Sequence, residues 1–332
     1  MILTDLLSER GWLLADGATG TALFNMGLQA GDPPELWNDD RPGDIRALYR
    51  GSVEAGADLF LTNSFGGNAA RLKLHDAQDR VRALNRAAAA LAREVADAAG
   101  RPVVVAGSMG PTGEIMEPVG ALSHAEAVEM FHEQAEGLKE GGADVLWLET
   151  ISAEEEYRAA AEAAKLAGMP WCGTMSFDTA GRTMMGVTAD RLPRLAARLD
   201  HPPVAVGANC GVGASDLVRT VLGMAGQNDI PLIAKGNAGI PKYVDGHIHY
   251  DGTPALMAEY AVMARNAGAS IIGGCCGTTP THLREMRAAL EATPKGPPPT
   301  LDEVAAKLGG FSSEADGTGG AAPARRRGRR RG

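Results

Sequence analysis

Short apolar runs alternate along the chain with longer segments whose apolar positions recur at helical spacing. The short runs are WLLADG, DLFLTNSF, PVVVAGSMG, DVLWLETI, PWCGTMSFD, PVAVGANC, PLIAKGNAG and SIIGGCCG, and they predict eight strands. Segments such as DRVRALNRAAAALAREVADAAG, HAEAVEMFHEQAEGLKEGG and AEEEYRAAAEAAKLAG lie between them and predict amphipathic helices. Gly56, Gly100, Gly142, Gly168 and Gly268 each stand just before the next strand. Helix C-caps favour glycine there because it turns left-handed without a Cβ clash. Eight βα units in succession predict an α/β fold, a closed (β/α)8 TIM barrel forming one domain over residues 1–293; a doubly wound open sheet is the alternative. After EATPKGPPPT the pattern stops. A short helix at LDEVAAKLGG fits, and the rest is Gly, Ala, Pro and Arg, so residues 294–332 are expected to be a mostly disordered tail.

Composition narrows the function classes. The formal net charge of -9 includes six arginines in the closing stretch ARRRGRRRG, so the rest of the chain is more acidic still. Such a body makes a poor nucleic-acid surface, and no nucleic-acid partner is expected. The first residues lack the basic start and long apolar core of a signal peptide, and no run of about 18 apolar residues occurs. Neither a membrane role nor export is expected. Four cysteines in 332 residues do not make a disulfide framework, and the adjacent pair Cys275–Cys276 is poorly placed to bridge itself. A reducing, cytoplasmic location fits. The oligomeric state is left open.

In a barrel of this kind chemistry sits where strands end. The predicted strands end in Asp16, Asn63, Ser108, Glu149, Asn209 with Cys210, Asn237, and Cys275 with Cys276. Cys172, near the start of the fifth strand, reads as a core or bottom-face residue. Cys210, Cys275 and Cys276 therefore meet on one rim, and Gly273, Gly274 and Gly277 are expected to let the chain bend there. Three thiolates with one exchangeable position describe a catalytic Zn2+ site. Such a site is a weak Lewis acid but keeps an entering thiol deprotonated and electron-rich at neutral pH, which suits attack on an activated carbon, methyl transfer being the simplest case. Asp16 and Glu149 would pair with a substrate ammonium group, and the glycine-rich DGATGT turn offers backbone N–H groups to a carboxylate.

The motifs DGATGT, LTNSFGGN, GSMGPTGE, LWLETIS, GANCGVG, GNAGIP and GGCCGTTPTHL, in this order from residue 11 to about 290, resemble the homocysteine S-methyltransferase family. That family includes the betaine-homocysteine methyltransferases, S-methylmethionine-dependent enzymes and the homocysteine-binding module of cobalamin-dependent methionine synthase. The resemblance implies a methionine-forming enzyme with Cys210, Cys275 and Cys276 as zinc ligands and Asp16 and Glu149 at the homocysteine amino group. It places Gly17 in the turn holding the carboxylate, and Asn237 as a resting fourth ligand that homocysteine displaces. Betaine users resemble one another in a Tyr on the loop after the second strand, for which this chain has Gly66, with Trp37 or Phe65 as other aromatic walls. The loop looks more like that of methionine synthase modules, which implies a methylcorrinoid donor carried by a separate protein, with betaine as the second choice. A non-catalytic zinc- or thiol-binding subunit of a larger methyltransferase complex is the competing reading.

Overall fold

The computed structural model describes residues 2–239, 241–244 and 247–314; of the tail expected to be disordered over 294–332, residues 315–332, which hold the arginine-rich stretch, lie outside the described residues. Among the described residues ten strands follow one another: β1 (Leu13–Leu14), β2 (Leu59–Leu61), β3 (Val104–Met109), β4 (Val145–Ile151), β5 (Trp171–Met175), β6 (Ala205–Cys210), β7 (Leu232–Gly236), β8 (Pro241–Val244), β9 (His247–Tyr250) and β10 (Ala269–Gly274). All but β8 and β9 form one parallel sheet in the order β1-β10-β7-β6-β5-β4-β3-β2. Its two ends meet through the parallel bridge Ala15–Leu59 and a hydrogen bond from Asp58 N to Leu14 O at 2.7 Å. The sheet therefore closes, as the eight βα units predict, and the open doubly wound alternative falls away.

Parallel strands covered on both faces read as unbroken apolar runs, which is why all eight were visible in sequence. Their inward residues, among them Leu59, Val104, Trp147 and Ile271, fill the barrel. Cys172 lies fully buried in this inner cluster, consistent with a core role. The N-terminal helix Ile2–Arg10 adds Leu3 and Leu6 to the same cluster and so plugs the end of the barrel where the strands begin. All five glycines expected to cap helices have positive φ.

Two features go beyond the eight units. The antiparallel hairpin β8–β9 is inserted between β7 and the helix Pro254–Asn266. At the C-terminus the short helix expected from LDEVAAKLGG forms over Leu301–Leu308, opened by a Thr300–Glu303 capping box, and buries Val304 and Leu308. The following residues are tied to the helix Ala214–Met224: Ser312 N donates to Asp216 Oδ2 at 3.0 Å, and Arg219 donates to Ser313 O at 2.7 Å beneath the Phe311 ring. Among the described residues no helix is long and apolar enough to cross a membrane.

Candidate functional site

The end of β7 separates the ends of β6 and β10, which lead into the three rim cysteines. Gly236 is in register with Cys210 of β6 on one side and with Gly274 of β10 on the other, and Cys275 N donates to Gly236 O at 2.7 Å. The three sulfurs of Cys210, Cys275 and Cys276 lie within 4.8 Å of one another, with Cys210 and Cys276 4.0 Å apart. All are free thiols. Three sulfurs around one tetrahedral Zn2+, each at about 2.3 Å, would be about 3.8 Å apart, so the spacing and the soft donor set fit that ion. Cys210 holds φ at +59°, a left-handed conformation that costs a β-carbon residue about 1–3 kcal/mol.

The glycines around the cysteine pair work differently from the expected bend. Only Gly277 has a positive φ, at +78°. Gly273 and Gly274 serve close approach: a Cβ at 274 would meet Thr278 at 2.2 Å, and one at 273 would meet Ala15 Cβ at 2.7 Å. The strand end is packed tight rather than loosened.

Asn237 braces the two cysteine loops. Its Oδ1 accepts from Cys276 N at 3.1 Å and its Nδ2 donates to Gly211 O at 2.9 Å. Asn209, fully buried, accepts from Thr150 N at 2.8 Å and Thr174 Oγ1 at 2.7 Å and directs its Nδ2 at Cys275 Sγ, 3.9 Å away. Hydrogen bonding to Cys275 favours the Cys210 thiolate, but Cys276 and burial outweigh it and push that thiol up to about 11. Cys276, favoured by Cys210, is pushed up to about 12 by Cys275 and burial. Without a metal the cluster therefore stays protonated at neutral pH, and metal uptake releases protons.

Beside the sulfurs opens a cavity of about 270 Å³, lined among others by Asp16, Gly17, Glu149, Lys235 and the three cysteines. Asp16 is already engaged: Oδ1 accepts from Lys235 Nζ at 2.5 Å and Oδ2 from Leu61 N at 2.9 Å. Glu149 Oε1 accepts from Ser108 Oγ at 2.5 Å, and burial, opposed by Lys235, raises its carboxyl above the usual range. Asp16, Glu35 and Glu149 give this cavity three carboxyl groups against one lysine, so its acids outnumber its cations. At Gly17 a Cβ would come 2.6 Å from Thr278 O, so only glycine lets the β1 turn lie against the loop after β10.

The structure brings together Asp16, Gly17, Glu149, Cys210, Cys275 and Cys276 around one cavity, with Asn237 behind the sulfurs. Phe65 also lines the cavity, its ring against Gly110, where a Cβ would come within 2.6 Å. Trp37 instead carries the Arg41 guanidinium 3.9 Å over its ring. Sequence reasoning missed Lys235, although a lysine inside the apolar run PLIAKG was a readable signal. It also missed Glu35, whose buried carboxylate, raised by desolvation, accepts from Gly66 N at 2.6 Å and lines the mouth. Nothing in the sequence pointed to Glu35.

Comparison with known proteins supplies an independent line. The family description homocysteine S-methyltransferase matches residues 13–290. Methionine synthase of Mycobacterium tuberculosis is 33% identical over 307 residues, covering 87% of this chain and 25% of that protein. Methionine synthase of Mycobacterium leprae is 31% identical over 304 residues, with the same coverage. The chain thus spans about a quarter of the length of these curated relatives. Among solved structures, the homocysteine methyltransferase MmuM from Escherichia coli superposes with a TM-score of 0.73 in its oxidised form and 0.72 in its metallated form, at 26% identity, over 87% of this chain and 99% of MmuM.

Proposed function

The chain belongs to the homocysteine S-methyltransferase family and is a methyltransferase, and we propose that it methylates homocysteine to methionine at a zinc site made by Cys210, Cys275 and Cys276. The observation that carries this reading is the meeting of three free thiols, within 4.8 Å of one another, at the wall of a cavity whose carboxylates outnumber its lysines. A bound Zn2+ would lower the pKa of an entering thiol, making it a nucleophile at neutral pH.

The chain's own residues do the rest. Glu149 has one oxygen beyond the Ser108 bond and takes the substrate ammonium; Asp16, held by Lys235 and Leu61 N, faces it and keeps the local potential negative. Backbone N–H groups of the turn that begins at Gly17 receive the carboxylate. The amino acid is thereby anchored at its polar end, with its thiol directed to the sulfurs and the methyl donor entering from the mouth near Glu35 and Phe65. The substrate sulfur forms a bond to the methyl carbon, the donor departs with the electron pair of the bond that breaks, and the thiol proton goes to solvent. Asn237 Oδ1 accepts from the Cys276 amide and keeps a second lone pair, with which it could serve as the resting fourth ligand.

The donor is read as a methylcorrinoid presented by a separate protein or module, since the two curated relatives are methionine synthases and the loop after β2 has Gly66, not an aromatic hydroxyl, against Glu35. Betaine is the second choice. Free thiols at the rim suit a reducing, cytoplasmic setting. The test supplies zinc-loaded protein and homocysteine with methylcobalamin, betaine or S-methylmethionine in turn and measures methionine. Methionine from methylcobalamin, lost together with bound zinc in Cys275→Ser, is the expected result. A variant that keeps both zinc and activity removes the metal assignment, and methionine from betaine alone reverses the choice of donor.

A further inference from the structure

Lys235 stands on β7 two residues beyond Ile233, which fills the barrel, so its side chain leaves the same inner face one layer nearer the open end. There it lines the cavity, with the Trp147 ring centroid 5.9 Å from Nζ. Between β7 and β1 runs β10, whose residue in register with Lys235 is Gly273. A Cβ at 273 would meet Ala15 Cβ at 2.7 Å and Asp16 O at 3.0 Å. The glycine thus lets the end of β1 close in on β10 and brings Asp16 within reach of Lys235.

At 2% exposure the lysine depends on the protein or a ligand for its partners. Its Nζ donates to Asp16 Oδ1 at 2.5 Å, and Asp16 is its one ion-pair partner among the described residues. An ammonium carries three N–H donors, so two are left over beside the cavity. Burial works against the charge, but Asp16 and Glu149 outweigh it and hold the amine above its ordinary value. A buried cation with spare donors at a cavity wall suits an anion. Glu149, in the same wall with one oxygen beyond its Ser108 bond, suits a cation, and the three sulfurs complete the lining.

We propose that Lys235 binds the α-carboxylate of the amino-acid substrate, adding a charged partner to the backbone N–H groups of the turn at Gly17 while Glu149 takes the ammonium. The inference rests on the functional reading above and gives Lys235 a part beyond holding Asp16. The cavity then recognises both charges of a zwitterion. A thiol that lacks the carboxylate forfeits one charge-assisted hydrogen bond, worth about 10–100-fold in affinity.

The test measures equilibrium binding of three thiols to zinc-loaded full chain by calorimetry. They are homocysteine, 3-sulfanylpropan-1-amine, which lacks its carboxylate, and 4-sulfanylbutanoate, which lacks its ammonium. The wild type is expected to prefer homocysteine to the amine, and Lys235→Met to lower that preference about 10–100-fold. 4-Sulfanylbutanoate should weaken together with homocysteine. Lys235→Met strands the buried Asp16 carboxylate, whereas the double variant Asp16→Asn/Lys235→Met removes the ion pair whole and carries the test if the single variant does not fold. The preference should fall in the double variant as well. Homocysteine and the amine weakened alike, with the preference kept, overturns the proposal and leaves Lys235 the single task of holding Asp16. A wild type that binds the amine as tightly as homocysteine overturns it too, with the zinc and thiol reading intact. Zinc-loaded wild type that binds none of the three thiols overturns the functional reading itself, and this inference with it.

Discussion

At the N-terminal end of the barrel Asp58 is fully buried among Arg10, Arg101 and Arg287, whereas at the C-terminal end Asp16 and Glu149 share Lys235 alone. Asp58 receives Arg10 at 2.5 Å, both terminal nitrogens of Arg287 at 3.0 Å and Leu14 N at 2.9 Å, while Arg101 stands 3.8 Å off. Those partners come from the first helix, the last barrel helix and β1, so the cluster staples the seam where the sheet closes. At the other end the carboxylates are in excess and face a cavity of about 270 Å³. A buried acid surrounded by cations is finished as it stands; acids in excess of cations beside an open cavity suit a positively charged ligand.

Breaking the first cluster should have the largest effect. Asp58→Ala strands arginines around an emptied site and is expected to lower the unfolding free energy by about 3–5 kcal/mol in urea denaturation. The homocysteine KM of the protein that remains folded should not move. A near-neutral substitution would mean that the arginines reach solvent easily and that the seam is held by packing alone. Glu149→Gln is the mirror case. Its stability should change little, because the loss of a buried charge offsets the weaker bond to Ser108, but homocysteine KM should rise about 10–100-fold, the worth of one charge-assisted hydrogen bond. 4-Sulfanylbutanoate, which is homocysteine without its amino group, should bind the variant and the wild type alike. Equal loss for both thiols would move Glu149 from ammonium recognition to general pocket shape.

The same contrast explains what could be read from sequence. The eight strands were legible because burial on both faces leaves an unbroken apolar run, and Asp16, Glu149, Cys210, Cys275 and Cys276 were legible because they interrupt such runs at the end where barrels do chemistry. Lys235 belongs to the same pocket but sits inside its run, where it passes as a strand residue until Asp16 is seen 2.5 Å away. The Asp58 staple is assembled from residues 10, 58, 101 and 287, whose meeting depends on barrel closure and not on any local pattern. The Gly273–Gly274 pair was legible as glycine and misread as flexibility, because a close contact with Thr278 or Ala15 leaves no mark in the residues next to it.

The smallest effect is the most discriminating for Glu149. Burial is the largest influence on this carboxyl and raises it above its ordinary value of 4.5, with Lys235 acting in the opposite direction. The folded protein then binds the proton more tightly than the unfolded chain does, so this group's contribution to stability is fully present below the unfolded pKa and is lost as pH rises through the folded one. Gln at this position does not titrate. Between pH 4 and pH 8 the metal-free Glu149→Gln variant should therefore gain stability relative to metal-free wild type, in urea titrations at the two pH values, and homocysteine should narrow the gap at pH 8 by supplying the missing ammonium to the wild type alone. A gap that changes in the opposite direction, with the wild type gaining as pH rises, would mean that Lys235 outweighs burial at Glu149. The C-terminal end of the barrel would then be as electrostatically finished as the N-terminal end, and substrate recognition would have to rest on the sulfurs and the turn at Gly17.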